Sequence, residues 1–409
     1  MPPSTDAELL GLLLDRIAQE LPRAVALRRR LHAAPELAHA EEHTAASVVA
    51  ELPVTCQAVA GTGRLALVAP SGSRAPIAVR AELDGLPIEE RTGAAFAAGG
   101  GVMHACGHDV HMAALVALAR AAYKLGDALP APLLAIFQPS EEAYPSGALE
   151  LLAGGELTAL APAAIVAAHI HPELPWGAVG LDSGTVNASC DAIEIAIEGE
   201  PTHGAYPHRG RDPILAIAQV VVALHAEIGR RIDPLGAASL TIGVLEAGST
   251  ENVIPRRAVA RGALRAHRPE DRRALREMVD EVTAGVASAH GCRSTIELVP
   301  GEPALENNAD VVTRARKLLA DAGLVAAETW RSCGSDDFAF FGALAPVAMA
   351  FVGLDGGEGF AARPLHHPEL LPTDDAVGAV ARAQAVLYIA AARSSTDQTS
   401  TERSSIPSP

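Results

Sequence analysis

Apolar residues recur every three to four positions from about Ala7 to His32, with Leu9, Leu12, Leu13, Ile17 and Leu21 on one face, and predict an amphipathic helix. Two short apolar runs follow a Gly-containing turn, Leu65 to Ala69 and Ile77 to Ala81. A helical period returns from about His108 to Leu125, then comes the apolar run Leu133 to Phe137, a helical stretch near Ser146 to Ala153, and the run Ala164 to Ala168. Short continuous apolar runs alternating with helices predict an α/β domain with a largely parallel central sheet.

From about Ser189 the texture changes. Ala192 to Ile197 alternates polar with apolar, Asp212 to Ile228 has a helical period, and Ser239 to Leu245 and Val259 to Ala266 read as strands. A helix from about Glu270 to Ala289 and a strand near Ser294 to Val299 complete a β-α-β-β-α-β order, which fits a small two-layer domain inserted into the larger one. Beyond Pro303 the α/β texture resumes, with helices near Val311 to Ala322 and Asp375 to Ala392 around the apolar run Val347 to Val352. The expected division is a catalytic domain in two parts, 1–186 and 301–393, an insertion at 187–300, and a tail of Ser, Thr, Asp and Pro at 394–409 with nothing to bury, expected to be disordered.

Composition narrows the function classes. Asp plus Glu number 49 against 32 Lys plus Arg in 409 residues, a formal charge of −17, which argues against a nucleic-acid partner that would need a basic face. The N-terminus carries Asp6 and Glu8 before a short apolar run, unlike a secretory signal, and no run approaches about 18 uninterrupted apolar residues. A cytoplasmic protein with no membrane partner is expected. Five scattered cysteines do not form a disulfide framework.

The chemistry concentrates where strands end. In an open α/β sheet, ligands gather beyond the carboxyl ends of the strands. There Ile77 to Ala81 runs into Glu82 and Asp84, Leu133 to Phe137 into Glu141 and Glu142, and Ala164 to Ala168 into His169. The segment Met103-His104-Ala105-Cys106-Gly107-His108-Asp109-Val110-His111 adds a thiol, three imidazoles and a carboxylate just before a helix, the donor set of zinc and similar divalent ions. An isolated Cys or His is most often a core or surface residue. The density here, with Glu141 and Glu142 converging from another strand, reverses that balance. A catalytic metal site needs ligands and a separate base, roles that two adjacent glutamates can divide. Pro364-Leu365-His366-His367-Pro368 offers one more imidazole from the returning half.

Taken in order, the motifs Arg29-Arg30-Leu31-His32, Arg80-Ala81-Glu82-Leu83-Asp84-Gly85-Leu86-Pro87, His104-Ala105-Cys106-Gly107-His108-Asp109, Phe137-Gln138-Pro139-Ser140-Glu141-Glu142, Asn252-Val253-Ile254-Pro255, Gly334-Ser335-Asp336-Asp337-Phe338 and His366-His367-Pro368 resemble the M20 metallopeptidases. Within that family they are similar to the aminoacylase and amidohydrolase branch, which includes hippurate hydrolase-like enzymes. The resemblance runs from about Leu27 to Leu387. It implies a zinc-peptidase-like catalytic domain with an inserted α+β, ferredoxin-like lid and dimerisation domain, a homodimer, and hydrolysis of the amide bond of small N-acyl amino acids. It also implies two divalent metal ions per subunit, zinc or manganese, with cobalt and nickel as further candidates. The implied ligands are Cys106, His108, Glu142, His169 and His366, with His366 favoured over His367 and His169 over His171. Glu141 becomes the general base and Asp84 the carboxylate that supports the metals. Glu82 sits where the wider family has a metal-binding His, for which Cys106 substitutes. His203, in Thr202-His203-Gly204, would donate to the oxyanion from a partner subunit, and Asn252 and Arg265 would bind the substrate carboxylate.

A dipeptidase or carboxypeptidase on the same scaffold, and a non-catalytic binding protein that inherited the fold, are the rival readings. The Cys106 motif speaks for the amidohydrolase branch, and the intact ligand set with Glu141 speaks against loss of catalysis. The acyl group is left open, with Phe137, Tyr144, Ser146 and Phe360 expected to line its pocket.

Overall fold

The computed structural model describes residues 5–69 and 74–403, with side chains up to Arg393. The chain divides into two compact units. The first takes the chain up to Gly184, Glu306–Trp330 and the chain from Phe340 on; the second takes Thr185–Leu305 and Arg331–Ala339. The segment 331–339, which the sequence reading gives to the returning catalytic part, thus groups with the insertion.

In the first unit an eight-stranded sheet runs in the order Gln57–Val59, Gly63–Val68, Leu133–Gln138, Ile77–Glu82, Ala164–Pro175, Val347–Asp355, Ala178–Gly180 and Val325–Ala326. The four central strands are mutually parallel, and antiparallel pairings flank them, so the sheet is mixed and largely parallel, as expected. Strands Ile77–Glu82 and Leu133–Gln138 are buried at every position, which is why Leu133 to Phe137 reads as a continuous apolar run and Ile77 to Ala81 as one broken only by the buried Arg80, instead of alternating. Helices Asp6–Ala33, His108–Leu125 and Asp375–Arg403 pack on one another, and their apolar side chains join those of the sheet in one core. Thr5 caps the first helix with its hydroxyl on the Glu8 N–H, while the Glu8 carboxylate returns to the Thr5 N–H.

The last helix continues to Arg403, past the start of the expected disorder at 394, while 404–409 lie outside the described residues. No proline or glycine intervenes between Arg393 and Arg403 to end it. Helix Glu42–Glu51 was not expected; only Thr44, Ala45 and Val48 are buried on it and no side chain caps its start, so both the periodic and the capping signals are weak.

In the second unit, strands Ala238–Ala247, Arg257–Ala266, Ser189–Glu198 and Arg293–Pro300 form an antiparallel sheet in that order. Helices Pro213–Arg231 and Pro269–Ala289 pack together and on this sheet, with Ile193, Ile195, Ile197, Val220, Leu275 and Val279 in the core. The chain order is therefore the expected β-α-β-β-α-β. The inward Asp191 is held by both Arg272 and Arg276, which together drive its pKa down to about 2 against the opposing effect of burial.

Candidate metal centre

Strands Ile77–Glu82 and Leu133–Gln138 end at one edge of the first unit's sheet and deliver Glu82 and the loop of Glu141 and Glu142, whereas strand Ala164–Pro175 does not stop before His169 as the sequence reading has it but carries His169 within it, just past its pairing with Ile77–Glu82. The segment before helix His108–Leu125 reaches the same place. Gly107 precedes the helix with φ 82°, a left-handed conformation that favours glycine, and a Cβ there would stand 2.3 Å from Ile170 Cδ1. This close approach brings Cys106 and His108 against the strand that carries His169.

Hydrogen bonds fix each ring. Nδ1 of His108 donates to the Asp84 carbonyl at 2.8 Å, leaving Nε2 directed to Glu141 at 3.9 Å and Glu142 at 4.0 Å. Nδ1 of His169 donates to the Ile170 carbonyl at 2.6 Å, so its Nε2 is the free nitrogen, and it lies 3.5 Å from Cys106 Sγ. His366, at φ 65°, donates its backbone N–H to the Ala105 carbonyl at 2.9 Å and sets Nε2 3.3 Å from Glu142 Oε1. Asp84, fully buried, accepts the Glu142 N–H at 2.9 Å and so positions the carboxylate-bearing loop. Ligand atoms of Cys106, His108 and Glu142 all lie within 4.8 Å of one another. The five side chains that the resemblance implies as ligands are thus linked contact by contact.

The residues fit a metal on chemical grounds. Nε2 of His108 and Oε1 of Glu142 are buried and form no hydrogen bond. Buried polar atoms without partners are costly, and these two, 4.0 Å apart, are satisfied together by a metal cation once the His108 ring gives up its Nε2 proton. Burial by itself would lower the His108 pKa, but the carboxylates of Glu82, Asp84 and Glu142 overturn this and hold it near 10, so the pocket strongly favours positive charge. Burial pushes the Cys106 thiol well up, with Glu142, Glu141 and Glu82 adding to the effect, so a thiolate here needs a bound cation.

Glu82 and His111 form a second layer. His111 Nδ1 stands 2.9 Å from Glu82 Oε2, and His111 Nε2 accepts the Ile170 N–H at 3.0 Å, so both ring nitrogens are used within the protein. Arg80 holds the other Glu82 oxygen and also donates to Gln138 at 2.9 Å. Despite burial, Arg80 and the histidines keep the Glu82 carboxyl well below its usual range. Glu82 therefore orients and charges the site. The sequence reading counts His111 among the imidazoles of its segment but gives it no role; its place one helical turn after His108 is the available signal.

Behind the helix start, Arg28 donates to Asp109 at 2.7 Å, and His32 bridges Asp109 at 2.9 Å and Glu90 at 3.1 Å. This buried network anchors the residue next to His108.

In the second unit, His203 is exposed, pairs with Val253 in a short antiparallel bridge, and accepts the Ala205 N–H on Nδ1 at 3.0 Å. Gly204 donates to the Asn252 carbonyl at 2.7 Å, so His203 and Asn252 share one loop pair. Arg265 lies on another strand and donates to the Cys333 carbonyl at 2.9 Å. Of the expected acyl-pocket residues, Phe137 is wholly buried in the sheet core, Ser146 caps helix Gly147–Gly154 through the Leu149 N–H, and Phe360 packs against the Met103, Ala105 and Leu370 cluster. Only Tyr144 is exposed, because strand Leu133–Gln138 is buried on both faces and the capping and cluster contacts occupy the other two.

The model of peptidase family M20/M25/M40 matches residues 78–388. The chain is 34% identical over 358 residues to N-acetyl-L-cysteine deacetylase of Bacillus subtilis (strain 168), covering 86% of this chain and 84% of that protein. It is 31% identical over 360 residues to N-acetyldiaminopimelate deacetylase of Bacillus pumilus (strain SAFR-032), covering 86% and 94%. Among solved structures, a dinuclear metal binding peptidase of the M20 family from Bacillus subtilis superposes with a TM-score of 0.79 at 29% identity, covering 91% of this chain and 98% of that one. A putative aminohydrolase from methicillin-resistant Staphylococcus aureus gives 0.85 at 27% identity, covering 92% and 98%.

Proposed function

The chain belongs to peptidase family M20/M25/M40, and from that premise we propose that it hydrolyses the amide bond of N-acyl amino acids, releasing a carboxylic acid and a free amino acid. The observation that carries this reading is the pair of buried polar atoms without hydrogen-bond partners, His108 Nε2 and Glu142 Oε1, set beside Cys106 and flanked by Glu141. Relatives named as deacetylases of N-acetylated amino acids support the substrate class.

Cys106, His108, Glu142, His169 and His366 would hold two divalent metal ions, with zinc or manganese the best match to a donor set of one thiolate, three imidazoles and a carboxylate. When bound, the metals polarise the acyl carbonyl and acidify the attacking water. Glu141 takes that water's proton and hands it to the leaving nitrogen, so that the amine departs neutral. Asp84 does not react; it holds the loop of Glu142 through a backbone hydrogen bond and fixes the His108 ring from its own carbonyl. His203 would donate to the developing oxyanion. Asn252 and Arg265 would take the substrate carboxylate, for which the guanidinium fork is suited.

The second unit would serve as a ferredoxin-like lid and as the dimerisation surface of a homodimer, with His203 acting on the partner's site. Support comes from the outer face of helix Pro213–Arg231, which exposes Ile214, Leu215 and Val222, and from strand Ala238–Ala247, an edge of its sheet that exposes Val244 and Leu245. Apolar patches and open strand edges of this kind are commonly covered by a partner.

The test is elemental analysis of stripped and reloaded protein, with amine release assayed on N-acetyl and N-benzoyl amino acids and on dipeptides. About two equivalents of metal with turnover of N-acyl amino acids is the expected result. Loaded protein that cleaves only dipeptides, or none of these, overturns the reading.

A further inference from the structure

A cavity of about 420 Å³ lies in the first unit between helix Asp6–Ala33, the start of the last helix and Trp176, and none of the candidate metal ligands lines it. Its volume falls in the range of small-molecule sites. Three features of its wall are unusual together.

The first is Arg382. It is partly buried, its Nε is shut off from solvent without an acceptor, and burial lowers its pKa while Asp375 opposes that and favours the charged form. Gly378, one helical turn earlier, leaves the guanidinium room: a Cβ there would stand 3.8 Å from Arg382 Nη1 and 3.3 Å from Leu21 Cδ1. The second is Pro22, inside the first helix. It has no N–H, so the carbonyl of Ala18, which also lines the cavity, loses its helical donor and remains an acceptor. The third is the apolar remainder of the wall, Leu21, Pro22 and Trp176.

A strong donor of positive charge thus sits with a bare carbonyl and the Asp375 carboxylate around an apolar floor. A simple cation is repelled by Arg382 and a simple anion by Asp375, while the other carboxylate of the wall, Asp374, is already neutralised by Arg28 and Arg29. A compact zwitterion satisfies both. We propose that this cavity binds a free α-amino acid with an apolar side chain, its carboxylate on Arg382, its ammonium on the Ala18 carbonyl and Asp375, and its side chain against Leu21 and Trp176. Arginine is the residue suited to a carboxylate, through two parallel hydrogen bonds. Amino acids are also what the proposed hydrolysis releases, but the site is argued from its own wall and is tested by binding, without reference to turnover.

The experiment is calorimetric titration of the full-length, metal-loaded protein with L-leucine, L-leucinamide and 4-methylpentanoate, the last two lacking the carboxylate and the ammonium respectively. Saturable binding of leucine with Kd below about 1 mM is expected. The two analogues should bind at least about tenfold more weakly, since each leaves a charged group of the wall unmatched. Arg382→Met should abolish leucine binding. Gly378→Leu, which suits a helix and grows its side chain toward Leu21 and Arg382, should do the same with the fold retained, as read by circular dichroism. Neither variant touches the proposed catalytic groups, so amide hydrolysis should persist in both. Absence of leucine binding, or equal binding in wild type and both variants, as product held at the metal centre would give, overturns the inference.

Discussion

The imidazole of His111 and the carboxylate of Glu82 lie 2.9 Å apart, and each immobilises the other. Although ligand atoms of Glu82, His108, His111 and His169 cluster within 4.8 Å, the Nε2 of His111 already accepts the Ile170 N–H. His111 is therefore a positioning residue. His111→Leu should leave metal stoichiometry unchanged and lower stability by about 2–4 kcal/mol, because a buried N–H and a buried carboxylate each lose a partner. Thermal unfolding with parallel elemental analysis checks this; loss of one metal equivalent at unchanged stability would make His111 a ligand.

Asp84 accepts the Glu142 N–H at 2.9 Å, and despite burial His108 and that N–H hold its carboxyl below the usual range. Asp84→Asn keeps the shape and removes the charge. Metal affinity should fall by about 10- to 100-fold, the usual cost of an outer partner to a metal ligand. Competition with a fluorescent chelator measures it, and an affinity equal to wild type would mean that the carboxylate merely fills space.

Glu141 and Cys106 are expected to fail in different ways. Glu141→Gln should retain full metal content and lose about 10² to 10⁴ in rate, the scale for a positioned acid or base. Cys106→Ala should lose metal first, with activity partly restored by excess ion. If the two variants have the same metal content, the division between base and ligand is wrong.

The legibility of this chain depended on what each signal encodes. The helix His108–Leu125 was expected with the bounds it has, because Gly107 and Gly126 bracket a periodic apolar run. The strands that lead to Glu82, to the Glu142 loop and through His169 were evident because strands buried on both faces read as mostly apolar runs, interrupted only by Arg80 in the first, while the continuation of the third to Pro175 was hidden by its polar residues His169, His171 and Glu173. That same burial hid which way Phe137 points, since a continuous run carries no period. Glu82 and His111 could not be separated from ligands by sequence, as their roles depend on each other and on Ile170, which the fold brings together from three separate elements. The Arg28, His32 and Asp109 network was equally silent, because its members are 77 and 81 positions apart and meet only in the folded core.

That network predicts a pH dependence. Burial would lower the His32 pKa, but Asp109 and Glu90 outweigh it and raise it from 6.5 to about 9, with Arg28 opposing from the other side. A histidine whose folded pKa lies above its unfolded value contributes stability that is fully present below about 6.5 and is lost as pH rises through 9. The shift corresponds to something on the order of 3 kcal/mol, at 1.36 kcal/mol per pH unit. His32→Gln removes the titration while keeping a polar side chain. Urea unfolding of both proteins in chelator should show a stability gap that is wide at pH 6 and narrows between pH 7 and 9.5. A gap that stays constant across this range would mean that His32 is neutral in the folded state and that Asp109 is held by Arg28 alone.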